Sequence, residues 1–392
     1  MDALMLPSNW QRVRLGDIGK PCMCKRVMKH QTTQYGEIPF YKIGTFGNTA
    51  DAFISKKLFL EYKTKYSFPK KGDILISASG TIGRAVIYDG KPAYFQDSNI
   101  VWIDNDETLV KNDFLFYAYS NIKWDTEHTT ILRLYNDNFR NTLIPLPPLN
   151  EQIAIANILS DVDRYLYNLD ALILKKESVK KALSFELLSQ RKRLKGFNQA
   201  WQRVRIGDIC EFGNGGAYET LIVENGDFKL ISLNSIDIDG NLKNTMKRVN
   251  FYDNSLKQDD IVMVLSDVAH GDFLGLCAVI PSNDYVLNQR MGRLRKRNDC
   301  INILFLRLYI NANQKYFKMQ GQGSSQLNLS KKAIEDFEIL LPPLNEQIAI
   351  ANILSDLDNE IISLKNKKRQ FENIKKALNH DLMSAKIRVL NK

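Results

Sequence analysis

The spacing of apolar residues in the later part of each half of the chain predicts two long helices. No glycine or proline occurs in residues 149–195 or in residues 344–392. Apolar side chains recur there every three or four positions, at 159, 162, 166, 169, 173, 179, 183 and 187, and again at 354, 357, 361, 364, 371, 374, 378 and 382. This spacing places one apolar stripe along a helix. Pro147-Pro148 and Pro342-Pro343, followed by Asn150 and Asn345, are typical of helix starts.

A single apolar stripe of this length needs a partner, since a helix of about 40 residues spans roughly 60 Å. Both stripes share one pattern, so we expect the two helices to pack against each other as an antiparallel coiled coil. Two alternatives stay open. Each helix could instead fold back onto its own globular part, and Ser160 and Ser355 could cap a second helix start, which would break or kink the helix there.

The residues that precede each predicted helix have a different pattern. Short β-type runs such as residues 73–77 and 260–265 are separated by turn signals, and helical stretches occur late, at 114–120 and 303–312. We therefore predict an α+β fold, with two mixed α/β domains related by a pseudo-twofold axis and joined by the two helices. The predicted boundaries are 1–146 for domain 1, 147–195 for the first helical spacer, 196–341 for domain 2 and 342–392 for the second spacer.

An internal repeat relates the two halves. The sequence LPPLNEQIAIANILSD at 146–161 occurs again, without a change, at 341–356. A shorter echo begins at Trp10 as WQRVRLGDI and at Trp201 as WQRVRIGDI. A chain built from two copies of one unit can bind two similar partners at a fixed distance.

The net charge of +10 is concentrated in the distal parts of the helices. Residues 175–195 carry a net charge of +6 and residues 365–392 carry +7, which leaves the rest of the chain near −3. Two interpretations stay open, a solvated coiled-coil face and a surface for phosphates or for an acidic partner.

Several protein classes can be set aside from the composition. The five cysteines have neither a disulfide-framework nor a zinc spacing, so we expect reduced thiols and a cytoplasmic protein. No apolar run is long enough to span a membrane, and no signal peptide is evident.

The sequence also lacks the usual catalytic motifs. It has no phosphate-binding G-x-x-x-x-G-K-[ST] loop. The histidines lack a metal-ligand spacing, and Pro147-Pro148 and Pro342-Pro343 follow Leu rather than the Asn or Asp of an amino-methylating enzyme. We expect no catalytic residue, no metal and no cofactor in this chain.

The globular parts do carry polar loop residues suited to nucleic acid. Asn and Gln can form hydrogen bonds to adenine edges and Arg can bind guanine. The same side chains could instead contact phosphate or only solvent. The candidates are Lys25, Arg26, Lys29, Gln31, Arg133, Asn136, Asn138, Arg140, Lys247, Arg248, Asn288, Gln289, Arg290, Arg293, Gln322, Ser324, Ser325, Gln326 and Asn328.

Two divergent globular parts, each followed by a long helix that opens with Leu-Pro-Pro-Leu-Asn-Glu-Gln-Ile-Ala-Ile, resemble the specificity (S) subunit of type I restriction–modification systems. The Trp-x-x-Val-x-Ile/Leu-Gly-Asp-Ile opening at Trp10 and Trp201 is typical of that family, as is the Ser79–Arg84 run, which adds Thr81 and Arg84 to the DNA-binding candidates. In the second unit Leu265–Gly271 departs from that run, which puts any transferred role there in doubt.

The resemblance implies that each globular part is a target recognition domain for one half of a bipartite double-stranded DNA site. The helices would set the unread gap and dock two methyltransferase (M) subunits, and endonuclease/translocase (R) subunits would complete the restriction enzyme. S-adenosylmethionine, ATP and Mg²⁺ would belong to those partners. The implied docking residues are Leu149, Glu151, Gln152, Ile155, Leu344, Glu346, Gln347 and Ile350.

Two other functions are compatible with parts of the sequence. One is a stand-alone DNA methyltransferase or nuclease with diverged motifs, and activity of the chain alone would support it. The other is a coiled-coil adaptor without a DNA role. It predicts that alanine at Gln322, Gln326, Asn328 and Arg290 leaves all binding unchanged.

Overall fold

The computed structural model describes residues 7–125, 133–268 and 271–389. Residues 1–6 of predicted domain 1 and residues 390–392 of the second predicted spacer therefore lie outside the described residues. The chain divides into two compact units, Met1–Asp170 with Asn366–Lys392 and Ala171–Lys365. Each unit holds one globular domain, the start of the helix that follows that domain, and the end of the other long helix.

Unit 1 consists of short strands and helices that surround a four-stranded antiparallel sheet. Its elements are β1 (Gln11–Arg14), α1 (Leu15–Ile18), β2 (Gly19–Met23), β3 (Ile38–Tyr41), β4 (Phe53–Ile54), α2 (Lys56–Lys65), β5 (Ile74–Ser77), β6 (Ala85–Ile87), β7 (Tyr94–Phe95), β8 (Ile100–Asn105), α3 (Asn112–Tyr119), α4 (Asn136–Asn141), β9 (Leu143–Leu146) and the first part of α5 (Leu149–Leu188). The sheet order is β2-β8-β5-β6, beside the smaller sheets β4-β3-β7 and β1-β9.

Unit 2 repeats this arrangement with different lengths. Its elements are β10 (Gln202–Arg205), α6 (Ile206–Ile209), β11 (Cys210–Asn214), β12 (Phe228–Ile231), β13 (Lys247–Val249), β14 (Ile261–Val264), β15 (Ser266–Val268), β16 (Cys277–Val279), β17 (Tyr285–Leu287), β18 (Met291–Lys296), α7 (Ile303–Ala312), α8 (Gln314–Gln320), β19 (Gln326–Asn328), α9 (Lys331–Glu335), β20 (Glu338–Leu341) and the first part of α10 (Leu344–Met383). The main sheet is β11-β18-β14-β16, and β13-β12-β17, β10-β20 and β15-β19 lie beside it.

The central strands explain why the sheets form. All four residues of β5 and of β14 are buried, as the continuous apolar runs in the sequence predict. A separate apolar cluster lies on the other face of the unit 1 sheet, where Leu75 and Trp102 meet Phe40 and Tyr94. The core between sheet and helices includes Leu159 of α5 together with Leu382 and Met383 of α10. Burial of these side chains fixes both long helices to domain 1.

The long helices are unbroken at the two candidate breaks. Helix α5 continues through Ser160, whose hydroxyl donates to the carbonyl of Asn157 at 3.0 Å, and α10 continues through Ser355. Each helix ends earlier than predicted, because Gln190 (φ 61°) and Ala385 (φ 56°) adopt the left-handed conformation that reverses the chain after a helix. These two residues are 195 positions apart, the offset of the repeat.

Within each unit the two helices pack antiparallel, as predicted. In unit 1 Asp163 pairs with Lys375 at 2.5 Å and Asp170 pairs with Lys368 at 2.8 Å. As the residue number rises along α5, the number of its partner on α10 falls, which is the sign of antiparallel packing. The start of each helix also packs on its own domain, so the alternative interpretation is correct for the first turns only.

Unit 2 repeats the same helix register. Lys180 pairs with Asp358, the counterpart of the Asp163–Lys375 pair at the 195-residue offset, and Lys176 pairs with Glu360 at 2.8 Å. Several of the lysines behind the basic excess are therefore engaged between helices. Neither of the two interpretations of that charge anticipated this arrangement.

Candidate nucleic-acid interface

Three segments of domain 1 meet beyond the end of β5. The peptide N–H of Ala78, just after β5, donates to the carbonyl of Asn99 in the turn between β7 and β8, at 2.8 Å. The N–H of Leu134, ahead of α4, donates to the carbonyl of Ala78 at 2.9 Å. The hydroxyl of Ser79 donates to Asn99 Oδ1 at 2.8 Å. One strand end thus holds two loops that are distant in sequence.

Domain 2 builds the same framework from different residues. The N–H of Leu265 donates to the carbonyl of Arg290 at 3.0 Å, and the N–H of Leu329 donates to the carbonyl of Leu265 at 2.8 Å. The hydroxyl of Ser266 donates to Asn328 Oδ1 at 2.5 Å. Leu265 and Ser266 therefore take the places of Ala78 and Ser79, although the sequence departs there. Residues 269 and 270 of that segment lie outside the described residues.

A cavity of about 500 Å³ opens beside this junction in domain 1. It brings together three predicted DNA-binding residues, Arg26 and Lys29 from one segment and Arg133, which follows more than 100 residues later in the sequence. The turn Gln96–Asn99, which the sequence did not single out, forms another part of the wall. Together with Lys42, these cationic side chains give the cavity a surface suited to an anionic polymer.

Arg26 is held at this cavity by a carboxylate. Its Nε donates to Asp97 Oδ2 at 2.7 Å, and the Asp97 side chain is 14% exposed while that of Arg26 is 67% exposed. In the part of the chain that the structure describes, neither Nη nitrogen of Arg26 forms a hydrogen bond. The guanidinium is thus fixed in orientation on one side and open on the other.

Tyr94 supports the segment that carries Arg26. Its hydroxyl donates to the carbonyl of Lys25 at 3.1 Å, and burial raises the pKa of Tyr94 above its usual range. A tyrosine hydroxyl is already protonated at neutral pH, and burial extends its role as a donor to higher pH. The ammonium group of Lys25 lies 5.0 Å from the centre of the Tyr66 ring, a cation–π contact beside the cavity.

The remaining candidates of domain 1 lie in three places. Gln31 is engaged locally, since its Oε1 accepts from the N–H of Met28 at 2.8 Å. Thr81 and Arg84 are exposed in the loop after β5. Asn136, Asn138 and Arg140 lie on α4, where Asn138 Nδ2 donates to the carbonyl of Asp125 at 3.3 Å. The cavity therefore includes only part of the predicted set.

Two candidates of domain 2 were wrong as surface contacts. Asn288 is buried, where its Oδ1 accepts from the N–H of Tyr218 at 3.1 Å and its Nδ2 donates to Glu219 at 2.7 Å. Arg293 is also mostly buried, with Nη2 on Glu211 at 2.6 Å. Both side chains are used to join loops of the domain, which a list of polar residue types cannot distinguish from DNA contact.

Other candidates of domain 2 remain predictions. Arg248 is half-buried and its Nη1 donates to the carbonyl of Gly226 at 2.6 Å, while Lys247 pairs with Glu219 at 3.4 Å. The exposed ones are Gln289, Arg290, Gln322, Ser324, Ser325 and Asn328, with Gln326 half-buried beside them. Arg290 has φ 68°, an uncommon conformation for a residue with a side chain.

Most predicted docking residues are buried inside the chain, which corrects their assignment. Glu151, Gln152 and Ile155 are covered in unit 1, as are their repeats Glu346, Gln347 and Ile350 in unit 2; Leu149 and Leu344 alone of the set are exposed. A side chain covered by its own chain cannot contact a partner. The physical reason for their identity in the two copies is internal.

The glutamines tie the start of each long helix to the segment just ahead of α3 in unit 1 and of α7 in unit 2. Gln152 Oε1 accepts from the N–H of Lys111 at 2.8 Å, and its Nε2 donates to the carbonyls of Leu109 and Pro147 at 3.1 and 2.8 Å. Gln347 makes the same three bonds in unit 2, to the N–H of Asn302 at 2.8 Å and to the carbonyls of Cys300 and Pro342 at 2.9 and 2.8 Å.

The glutamates join three segments of each unit. Glu346 accepts from Trp201 Nε1 at 3.0 Å and from Arg193. Glu151 accepts likewise from Trp10 Nε1 at 3.0 Å and from Arg388. This contact explains why the tryptophan repeat and the helix repeat occur together. The arginines were missed, although their separation of 195 residues is the offset of the repeat.

The comparison with known families agrees with this twofold construction. Residues 7–176 and 198–373 match the family described as Type I restriction modification DNA specificity domain. The chain belongs to that specificity family. The resemblance found in the sequence is thereby confirmed, and the two matches follow the two halves of the repeat.

Relatives within the specificity family match both part and all of the chain. A putative type I restriction enzyme specificity subunit of Haemophilus influenzae is 64% identical over 148 residues, which is 38% of each chain. The type I restriction enzyme MjaVIII specificity subunit of Methanocaldococcus jannaschii is 29% identical over 422 aligned positions, covering 100% of this chain and 96% of the relative.

Solved structures of the specificity family share the fold. The S subunit of a type I restriction-modification system from M. genitalium has a TM-score of 0.63 at 19% identity, covering 97% of this chain and 98% of that one. The HsdS subunit from Thermoanaerobacter tengcongensis has a TM-score of 0.50 at 17% identity and covers 98% of this chain and 99% of its own. The predicted α+β class with long helices is therefore confirmed.

Two further observations concern metals and membranes. Among residues 7–125, 133–268 and 271–389, no group of three or more His, Cys, Asp or Glu side chains is placed to hold a metal ion. None of the described helices is both long and apolar enough to cross a bilayer.

Proposed function

We propose that this chain is the DNA sequence-specificity subunit of a type I restriction–modification complex and reads a bipartite double-stranded site. Each domain reads one half-site, and α5 and α10 set the unread gap between the half-sites. The proposal rests on membership of the specificity family and on the matching backbone junctions beyond β5 and β14.

The junctions beyond β5 and β14 give the strongest structural support for this proposal. The two domains keep the same backbone bonds at the junction beyond β5 and β14 but place different side chains on it, for example Asn99 against Arg290 and Arg133 against Asn328. The helix anchors, by contrast, are identical in the two copies. A constant framework with variable side chains is what two unlike half-sites require, because base identity is read by side-chain donors and acceptors.

The repeat also leaves two equal exposed surfaces, which suit two copies of one partner. Leu149 and Ile153 are exposed on the first turns of α5, and Leu344 and Ile348 are exposed at the same positions of α10. Apolar residues exposed at a spacing of four lie on one helix face. We propose that these two equal surfaces each dock one methyltransferase (M) subunit.

Catalysis then belongs to the partners. S-adenosylmethionine would be held by the M subunits, and ATP and Mg²⁺ by the endonuclease/translocase (R) subunits. This chain contributes the choice of site and the positions of the partners. Its affinity for DNA should contain a salt-dependent phosphate term beneath the sequence-specific one.

The test is methylome sequencing of cells that carry this chain with its methyltransferase subunit, compared with cells in which this chain alone is deleted. We expect a bipartite motif with methylated adenines that disappears on deletion. An unchanged methylome, in cells where the complex is shown to assemble, would contradict the proposal.

A domain exchange tests modularity in the same cells. Replacement of residues 1–146 by the corresponding domain of another specificity subunit should change one half-site and leave the other intact. A change in both half-sites would mean that the domains do not read independently.

A further inference from the structure

The cavity beside β5 has a chemical bias in its side chains. The Oε1 atom of Gln96 already accepts from the N–H of Ile43 at 3.0 Å, and the Oδ1 atom of Asn99 accepts from Ser79 at 2.8 Å. Both amides therefore present their NH₂ groups as the remaining donors. These two amides add donors to those of the Nη groups of Arg26 and of the other cationic side chains in the lining, Lys29, Lys42 and Arg133.

A donor-rich surface selects a ligand edge that only accepts. In the major groove, guanine presents N7 and O6, both acceptors, whereas adenine presents one acceptor and one donor, and cytosine presents a donor. A phosphate group is also acceptor-only, so the shared chemistry is an acceptor-only group of DNA. The wall of the cavity distinguishes the two.

The apolar wall beside the fixed fork of Arg26 favours a base. The Nε of Arg26 donates to Asp97, so its two Nη groups remain, and a guanidinium oriented in this way can bind N7 and O6 of a guanine together. A phosphate can accept from the same fork, so the fork alone does not distinguish the two ligands. Phe40 and Ala52, both buried, line part of the cavity wall, and an apolar wall adds nothing to phosphate binding.

We propose that Arg26 reads a guanine in the half-site bound by domain 1, and that Asp97 is the positioning residue that orients Arg26. This inference rests on the proposed function. Arg26 is then the specificity-determining residue at one base pair. The corresponding turn of domain 2, just before β18, has no aspartate to orient an arginine. It has Gln289 and Arg290 where domain 1 has Asp97–Asn99, and so is one residue shorter. The two half-sites would differ for that reason at the corresponding base.

The test uses the full complex with its methyltransferase subunits and three variants: Arg26→Met, Asp97→Asn and, as a matched control, Arg12→Met on the exposed strand β1. Binding is measured on duplexes of the wild-type motif in which each guanine of the half-site of domain 1 is replaced in turn by 7-deazaguanine, which lacks the N7 acceptor. We expect one position at which this replacement weakens wild-type binding about ten-fold or more.

At that position the Arg26→Met complex should be nearly insensitive to the replacement, because methionine has no donor for N7. Its methylome should accept other bases there while the other half-site is unchanged. Asp97→Asn should relax the same position without changing the dependence of affinity on salt. Arg12→Met should behave as the wild type.

Two outcomes overturn the inference. If Arg26→Met, which removes the charge, weakens binding to all sequences equally and lowers the salt dependence by about one ion, Arg26 contacts phosphate. If it changes neither property, Arg26 does not contact DNA. Failure of the wild-type complex to bind any specific motif would instead refute the proposed function.

Discussion

Arg193 forms a two-pronged ion pair with Glu346, from Nε at 3.1 Å and from Nη2 at 2.5 Å. Arg388 forms the same pair with Glu151 in unit 1, at 2.8 and 3.1 Å. In each unit the arginine follows the left-handed residue that ends one long helix, and the glutamate lies in the first turn of the other. The pair therefore closes each helix pair at its end.

Removal of the arginine should destabilise unit 2, because Glu346 is fully buried and would keep only its bond to Trp201. We expect Arg193→Met to lower the free energy of unfolding by about 3 kcal/mol, the range for breaking a buried pair. Urea unfolding followed by tryptophan fluorescence measures it, with Lys195→Met as an exposed control. The Arg193→Met/Glu346→Gln double variant should lose less than the sum of the single variants, and simple additivity would contradict a direct pair.

The register of the helices predicts a charge exchange. Lys180→Asp places two carboxylates opposite each other at Asp358 and should lower stability by about 1 kcal/mol, since the pair is only partly buried. Adding Asp358→Lys should restore most of that loss by rebuilding the pair in reverse. Thermal unfolding of the three variants measures this, and a double variant less stable than Lys180→Asp would show that the two side chains do not meet.

The repeated exposed surface predicts a stepwise loss of methyltransferase subunits. Ile153→Asp and Ile348→Asp should each remove one bound subunit, and the double variant should remove both, because a charge in an apolar contact is costly to desolvate. Native mass spectrometry of the complex counts the subunits. Leu174→Asp serves as the control, as Leu174 is exposed but Arg369 occupies its place in the repeat. Full occupancy in the double variant would place the docking surface elsewhere.

The cysteines should differ strongly in reactivity. Burial raises the pKa of Cys24 and of Cys210 to about 12, so their thiolate fractions near pH 8 are about a thousand-fold lower than at the usual thiol value of 9.0. Cys300 is exposed. Iodoacetamide labelling followed by peptide mass spectrometry should therefore modify Cys300 first, and Cys24 and Cys210 only in denaturant. Rapid labelling of either buried thiol in the folded chain would contradict their burial.

The candidate DNA interface was predictable only in outline. Arg26, Lys29 and Arg133 were identified from residue type and do meet at one cavity. Asp97 was not, because a carboxylate is not expected in a surface that binds DNA until the arginine it orients is seen. Asn288 and Asn328 were selected for the same amide chemistry. Asn288 is buried and bonds within its own domain, whereas Asn328 is exposed.

The sequence by itself determined the twofold construction, the positions of the long helices and the family. These follow from local periodicity and from an exact repeat, which need no knowledge of contacts between distant residues. Only the tertiary structure decided what the repeated Glu-Gln pair does. In unit 2 its side chains bond to Trp201, Arg193 and Asn302, which lie 45–153 residues away in the sequence. The counterparts in unit 1 make the same bonds. Burial depends on such long-range contacts. A repeated polar pair therefore reads the same in the sequence whether it faces a partner or the core of its own chain.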